Sequence, residues 1–319
     1  MTHHVPGFAS AHSAHITDAV LMMGPLVRRG ASHAVDERFL QEPVEVLADL
    51  WIGKFPPAER MVRACQAQGE NWEPPHEWST YAFWRVGAPF EVNGTIQFDP
   101  DRRLRTCTQL SRLARPTSIG YSRAGRLLTW AGKPDQIIPG MHEGRGTVGF
   151  VANKAEDWIR DQDILTLRDL LSNFAPNSLS NRVKRAMMYH EYVHGLRDLD
   201  VRWPLVVTAV EALVHTDDRK KVFGTGGLRV TDQFVTRLVN LKTFIPDLDW
   251  DEVYLEYAYE HRSSFAHGLG LGPTIEHESL QLYQRLERNL RIILRAAILR
   301  PEIASLFTSD TAIRRGLNS

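Results

Sequence analysis

The chain has 319 residues, 38 Lys plus Arg against 38 Asp plus Glu, and two cysteines, Cys65 and Cys107. A formal net charge of zero excludes the uniform basic field of a general nucleic-acid binder, so a polyanion would have to be met by local patches. Two cysteines exclude a disulfide framework and a thiolate zinc cluster and fit a reducing cytosol, and no apolar run approaches the roughly 20 residues that span a bilayer.

The length predicts two domains. Leu21-Met22-Met23 has neither the basic leader nor the apolar core of a signal peptide, which predicts a cytoplasmic protein. His3, His4, His12 and His15 lack metal spacing and read as a frayed terminus. Helices are predicted over 43–51 and 57–68, the second opened by Pro57. From 72 to 151 the texture changes to short runs rich in β-branched and aromatic residues, at 80–86, 94–98, 118–121, 126–130 and 146–151. Turn residues separate them, so a small mixed or β-rich domain is expected. Its aromatics Trp72, Trp78, Tyr81, Phe83 and Trp84 are read as core rather than as a base-stacking platform. A helix over 156–174 and a break at Ala175-Pro176-Asn177-Ser178 close this part. The expected fold class is α+β, with an N-terminal mixed domain at 1–175 and an all-α helical bundle at 176–319.

Past the break the apolar spacing is cleaner. A helix over 180–196 carries Val183, Met187, His190 and His194 on one stripe, and one over 203–214 repeats Trp203, Val206, Val207, Val210, Leu213 and Val214. Glu211 flanks that second stripe and needs a cation or a hydrogen-bond donor if it is buried. The loop 223–227 has no preceding strand and no placed lysine, so it is not read as a phosphate cradle. A third helix is predicted over 231–243. The fourth begins at Asp249-Trp250-Asp251-Glu252, with carboxylates in its first turn, and ends before Gly268. The fifth spans 275–300 and stops at Pro301. On it Leu282, Leu286, Leu290, Ile293, Leu294 and Ala297 form one face, while Arg288, Arg291 and Arg295, with Arg285 at the edge, form the opposite one, which reads either as the solvated face of an amphipathic helix or as a stripe able to track a phosphate backbone.

Two constellations carry chemistry. His190-Glu191-Tyr192-Val193-His194 matches His-Glu-x-x-His, whose imidazoles share a helix face. With Glu211 as third ligand and Glu191 activating a bound water, it would make a zinc peptidase centre. The competing reading assigns His190 and His194 to a packed or dimer-facing surface without metal. At the end of the fourth helix, Arg262 and His267 stand five residues apart, about 140° around an ideal helix. They can meet one anion only because arginine is long and the last turn can loosen toward Gly268. An imidazolium in a last turn is favoured by the helix dipole, which suits a proton donor near neutral pH.

The segment Val201-Arg202-Trp203-Pro204-Leu205-Val206-Val207-Thr208-Ala209-Val210-Glu211-Ala212-Leu213-Val214, followed by Tyr259-Glu260-His261-Arg262-Ser263-Ser264-Phe265-Ala266-His267-Gly268, resembles the Apea-like branch of the HEPN superfamily over roughly 178–298. The resemblance implies a metal-independent endoribonuclease that needs no cofactor, with RNA as substrate. It also implies a homodimer, and either a toxin paired with an antitoxin or regulatory protein or an effector of phage defence. In the implied mechanism the ribose 2′-hydroxyl attacks the adjacent phosphate, His267 protonates the leaving oxygen and Arg262 stabilises the phosphate, with Glu211 and Ser263 in support. Ser263 stands where active members commonly carry a larger polar residue, and a catalytically silent RNA-binding or sensor protein is the alternative within the family.

Overall fold

The computed structural model describes residues 15–23, 44–47, 50–54, 80–87, 91–92, 95–96, 102–115, 120–129, 136–139, 161–194, 196, 199–216, 230–266 and 276–318. The expected helix at 57–68, the expected strand at 146–151, Trp72, Trp78 and the loop 223–227 lie outside those residues, as do His3, His4 and His12. The chain divides into two compact units, Met1–Ser172 and Asn173–Ser319, the first mixed and the second helical, so the fold class is α+β. No helix among the described residues is long and apolar enough to cross a membrane.

The first unit holds an antiparallel sheet of six strands. They are β1 (His15–Met23), β2 (Val44–Leu47), β3 (Leu50–Lys54), β4 (Thr80–Gly87), β7 (Gly120–Thr129) and β8 (Gln136–Pro139), in the order β2-β3-β4-β1-β7-β8. A two-stranded ladder pairs β5 (Glu91–Val92) with β6 (Thr95–Ile96). The helix expected over 43–51 is corrected to the antiparallel pair β2–β3, in which Val44 faces Ile52 and Glu45 faces Trp51. Apolar residues over so short a run fit either period, and the β-branched and aromatic members favour the pleat. His15 likewise belongs to no frayed end. It opens β1, which lies between β4 and β7, and pairs with Thr129. The two short runs at 118–121 and 126–130 merge into the single strand β7.

Two helices accompany the sheet. The first, α1 (Arg102–Ala114), was not expected, although Cys107, Leu110, Ser111 and Ala114 follow the three-and-four spacing and are all buried. The second, α2 (Asp161–Asn173), falls inside the predicted 156–174 and buries Ile164, Leu167 and Leu170. Arg168 Nη2 donates to the Glu45 carbonyl at 2.7 Å, joining α2 to the edge strand β2.

The second unit contains α3 (Asn181–His194), α4 (Leu199–Val214), α5 (Val230–Phe244), α6 (Glu252–Ala266) and α7 (Glu276–Leu299), followed by α8 (Pro301–Leu306) and α9 (Asp310–Leu317). Local chemistry sets several ends. The Ser180 hydroxyl accepts from the Val183 amide at 3.3 Å and caps α3, and the Asp251 carboxylate accepts from the Tyr254 amide at 2.8 Å and caps α6. Pro301 ends α7 as expected but also opens α8, because the missing N–H is no loss in a first helical turn. Buried Arg237 donates to the Val214 carbonyl at 2.8 Å, satisfying the open C-terminal end of α4.

The core lies along α4. Trp203, Val206, Val207, Val210, Leu213 and Val214 are buried, as their spacing predicts, and each contributes roughly 1.5–3 kcal/mol by leaving water. The Trp203 indole N–H also donates to the Ala258 carbonyl at 3.1 Å, so α4 and α6 are held at one fixed register. That register brings Glu211 beside the far end of α6.

Candidate functional site

Arg262 stands near the C-terminal end of α6, whose inner face is Tyr254, Leu255 and Ala258 and whose flank carries Tyr259 and Arg262 one turn apart. Its guanidinium meets the Glu211 carboxylate of α4, Nη2 to Oε2 2.9 Å, with the two side chains 31% and 16% exposed. Tyr259 closes a triangle with them. Its hydroxyl donates to Glu211 Oε1 at 3.4 Å and accepts from Arg262 Nη1 at 3.4 Å, and the guanidinium carbon lies 5.5 Å from its ring centre. Phe234 of α5 supports that ring at 5.0 Å.

Burial, followed by the adjacent Glu211 charge, pushes the Tyr259 phenol above its ordinary pKa, with Arg262 opposing. The phenol therefore stays protonated at neutral pH and serves as a donor. Burial likewise lowers the neighbouring His261 below the usual imidazole value, against Glu260, while Tyr257 holds its Nε2 at 2.8 Å. Arg262 is thus an oriented cation, braced on one side and partly open on the other. Glu211 also lines a groove of about 460 Å³ between α3 and α4, where Arg182, Arg185, Tyr189, His215 and Asp310 form further walls. Ser263 belongs to α6, and His267 lies outside the described residues.

The His-Glu-x-x-His residues lie elsewhere, inside the unit. His190 and His194 of α3 are 0% and 1% exposed, and Glu287 of α7, 2% exposed, joins them. His190 Nε2 is 2.9 Å from Glu287 Oε1 and 3.4 Å from His194 Nε2. Arg291, one turn along α7, donates from Nε to the same carboxylate at 2.8 Å and 3.0 Å to its two oxygens. Burial alone would raise the Glu287 pKa, but Arg291 and then His190 hold it below the usual carboxylate value. The expectation of Glu211 as a third metal ligand is therefore corrected: Glu211 is engaged by Arg262, and the carboxylate that reaches the two imidazoles is Glu287.

The arginine face of α7 is also corrected. Arg288 is exposed, but Arg291 is buried on Glu287 and Arg295 is half-buried. Arg285 holds the Asp249 carbonyl and carboxylate at 2.8 Å and 3.1 Å and covers the Tyr254 ring. Arg288, Arg291 and Arg295 therefore do not form one open stripe. A buried helix surrounded on several sides can turn polar residues inward when they pair with one another, and the apolar pattern alone does not reveal this.

No protein-family model, curated protein or solved structure matches the chain.

Proposed function

We propose that the helical unit is a HEPN-like bundle and that the protein is a metal-independent endoribonuclease built around Arg262 and His267. The observation that supports this most is the Glu211–Arg262 ion pair between α4 and α6, 2.9 Å long and only partly buried. A guanidinium fixed from behind by a carboxylate and a phenol loses little freedom when it meets a phosphate, so its charge is organised before the reaction begins. In the proposed reaction the ribose 2′-hydroxyl attacks the adjacent phosphorus and the bond to the 5′-oxygen breaks. The products are a 2′,3′-cyclic phosphate and a free 5′-hydroxyl. His267 gives the leaving oxygen its proton, Arg262 balances the charge that gathers on the phosphate, and Glu211 with Tyr259 positions Arg262. Ser263, next to Arg262, supplies a weaker polar contact. The neighbouring groove gives flanking nucleotides room beside the exposed cation Arg185 and exposed His215. Exposed Arg288 is the member of the arginine face of α7 that remains open to RNA.

As a cytoplasmic homodimer the protein would bring two such sites together about a two-fold axis, and an antitoxin or regulatory protein would restrain it. A toxin or phage-defence role follows from the same reading. The zinc-peptidase alternative is disfavoured because His190 and His194 are buried, whereas a catalytic zinc keeps a coordination position open to substrate. Incubating mixed RNAs with purified protein in buffer lacking added divalent ions is expected to yield fragments ending in cyclic phosphate and beginning with 5′-hydroxyl. RNA that is bound but left uncut would favour the silent sensor reading instead.

A further inference from the structure

We propose that His190, His194 and Glu287 bind one divalent transition-metal ion, zinc by the chemistry of its donors, as a structural clip between α3 and α7. The clip is independent of the RNA reading and takes no part in that chemistry. Two imidazole nitrogens and one carboxylate oxygen face a common point, drawn from i,i+4 positions on α3 and from a residue 97 positions after His190. Zinc holds nitrogen at about 2.0–2.1 Å in tetrahedral geometry, so two ligating nitrogens lie about 3.4 Å apart. His190 Nε2 and His194 Nε2 are 3.4 Å apart.

The same atoms can also be drawn as a metal-free network. A proton on His190 Nε2 can be donated to Glu287 Oε1 at 2.9 Å, and Arg291 can neutralise that carboxylate. The same nitrogen then also faces His194 Nε2, and one N–H serves two acceptors poorly. A cation at the shared point satisfies both imidazole lone pairs and the carboxylate together. Arg291 would then orient Glu287 through its Nε–H, which already lies against both carboxylate oxygens. Its positive charge also makes the cluster hostile to a hard ion such as magnesium or calcium, which needs several anionic oxygens, and favours one that neutral imidazole binds strongly. All three ligands are nearly fully buried, which shuts the ion off from a substrate and marks a structural role, with a water completing the tetrahedral fourth position.

The test uses the full chain, stripped of metal by chelator and titrated with cobalt(II), whose d–d absorption reports tetrahedral coordination directly. The expected result is intense tetrahedral bands that saturate at one cobalt per chain, a raised melting temperature, and loss of the bands in His194→Gln. Equal RNA cleavage by the zinc and cobalt forms is expected as well. If His194→Gln does not fold, the wild-type titration decides alone, since it needs no variant. Absence of tetrahedral bands, bands of equal strength in a folded His194→Gln protein, or a melting temperature unmoved by metal would overturn the proposal.

Discussion

Two Arg–Glu pairs in the helical unit use the same side chains in opposite surroundings. Glu287 and Arg291 lie four residues apart on one helix with side chains 3% and 8% exposed, whereas Glu211 and Arg262 come from two helices and are 16% and 31% exposed. In the first pair the carboxylate is held inside the unit by Arg291 and His190, with His194 beside His190. In the second, Tyr259 and Glu211 fix the guanidinium while leaving part of it free to meet an anion. Burial therefore separates a charge pair turned into the unit from a charge that can act on a substrate arriving from solvent.

The sharpest way to break this comparison is to remove the buried carboxylate. Glu287→Ala would leave Arg291 enclosed without a counter-charge, and a loss of about 3–5 kcal/mol is expected in equilibrium urea unfolding. A loss below about 1 kcal/mol would mean that solvent reaches Arg291 and that the two pairs do not differ in kind. Glu211→Gln, in contrast, is expected to cost less than about 1 kcal/mol, because its pair is partly solvated. Its larger effect should fall on RNA cleavage, about tenfold or more and chiefly in kcat, since Arg262 would lose its orientation rather than its charge. A change confined to KM would show that Glu211 does not position the cation.

Much of the helical unit is legible in the sequence. The three-and-four spacing of Trp203, Val206, Val207, Val210 and Val214 specifies both the helix and its buried face, and Glu211 beside that stripe requires a partner such as Arg262. Tyr259 was missed as part of the site, although its place three residues before Arg262 puts the two on one flank. Glu287 was not legible as the group that meets His190 and His194. Its helix presents it among arginines that read as a solvated face, and the pairing is set by how α3 and α7 pack. In the sheet, the β2–β3 segment was misread because its apolar residues are too few to distinguish periods. Helix α1 has a legible three-and-four spacing, and α8 escapes a reading in which Pro301 is only a stop, although proline also suits a first helical turn.

A smaller effect concerns His261, next to Arg262. Burial lowers its folded-state pKa below the ordinary 6.5. A depressed folded pKa contributes stability that is fully present above the unfolded value and is lost as pH falls through the folded one. The melting-temperature advantage of wild type over His261→Gln should therefore shrink between about pH 7.5 and about pH 5.5, as the unfolded chain takes up the proton first. A gap that stays constant, or widens toward acid, would show that His261 is already solvated.

The most direct measurement compares single-turnover RNA cleavage by wild type with that by the Arg262→Ala, His267→Ala double variant, with circular dichroism confirming that both are folded. The expected loss is roughly a hundredfold or more, the usual scale for removing a proton donor and a charge-stabilising group, while the helical signal stays within the small change of a surface substitution. Cleavage that continues undiminished in a folded double variant would contradict the assignment of chemistry to the open Arg262 site.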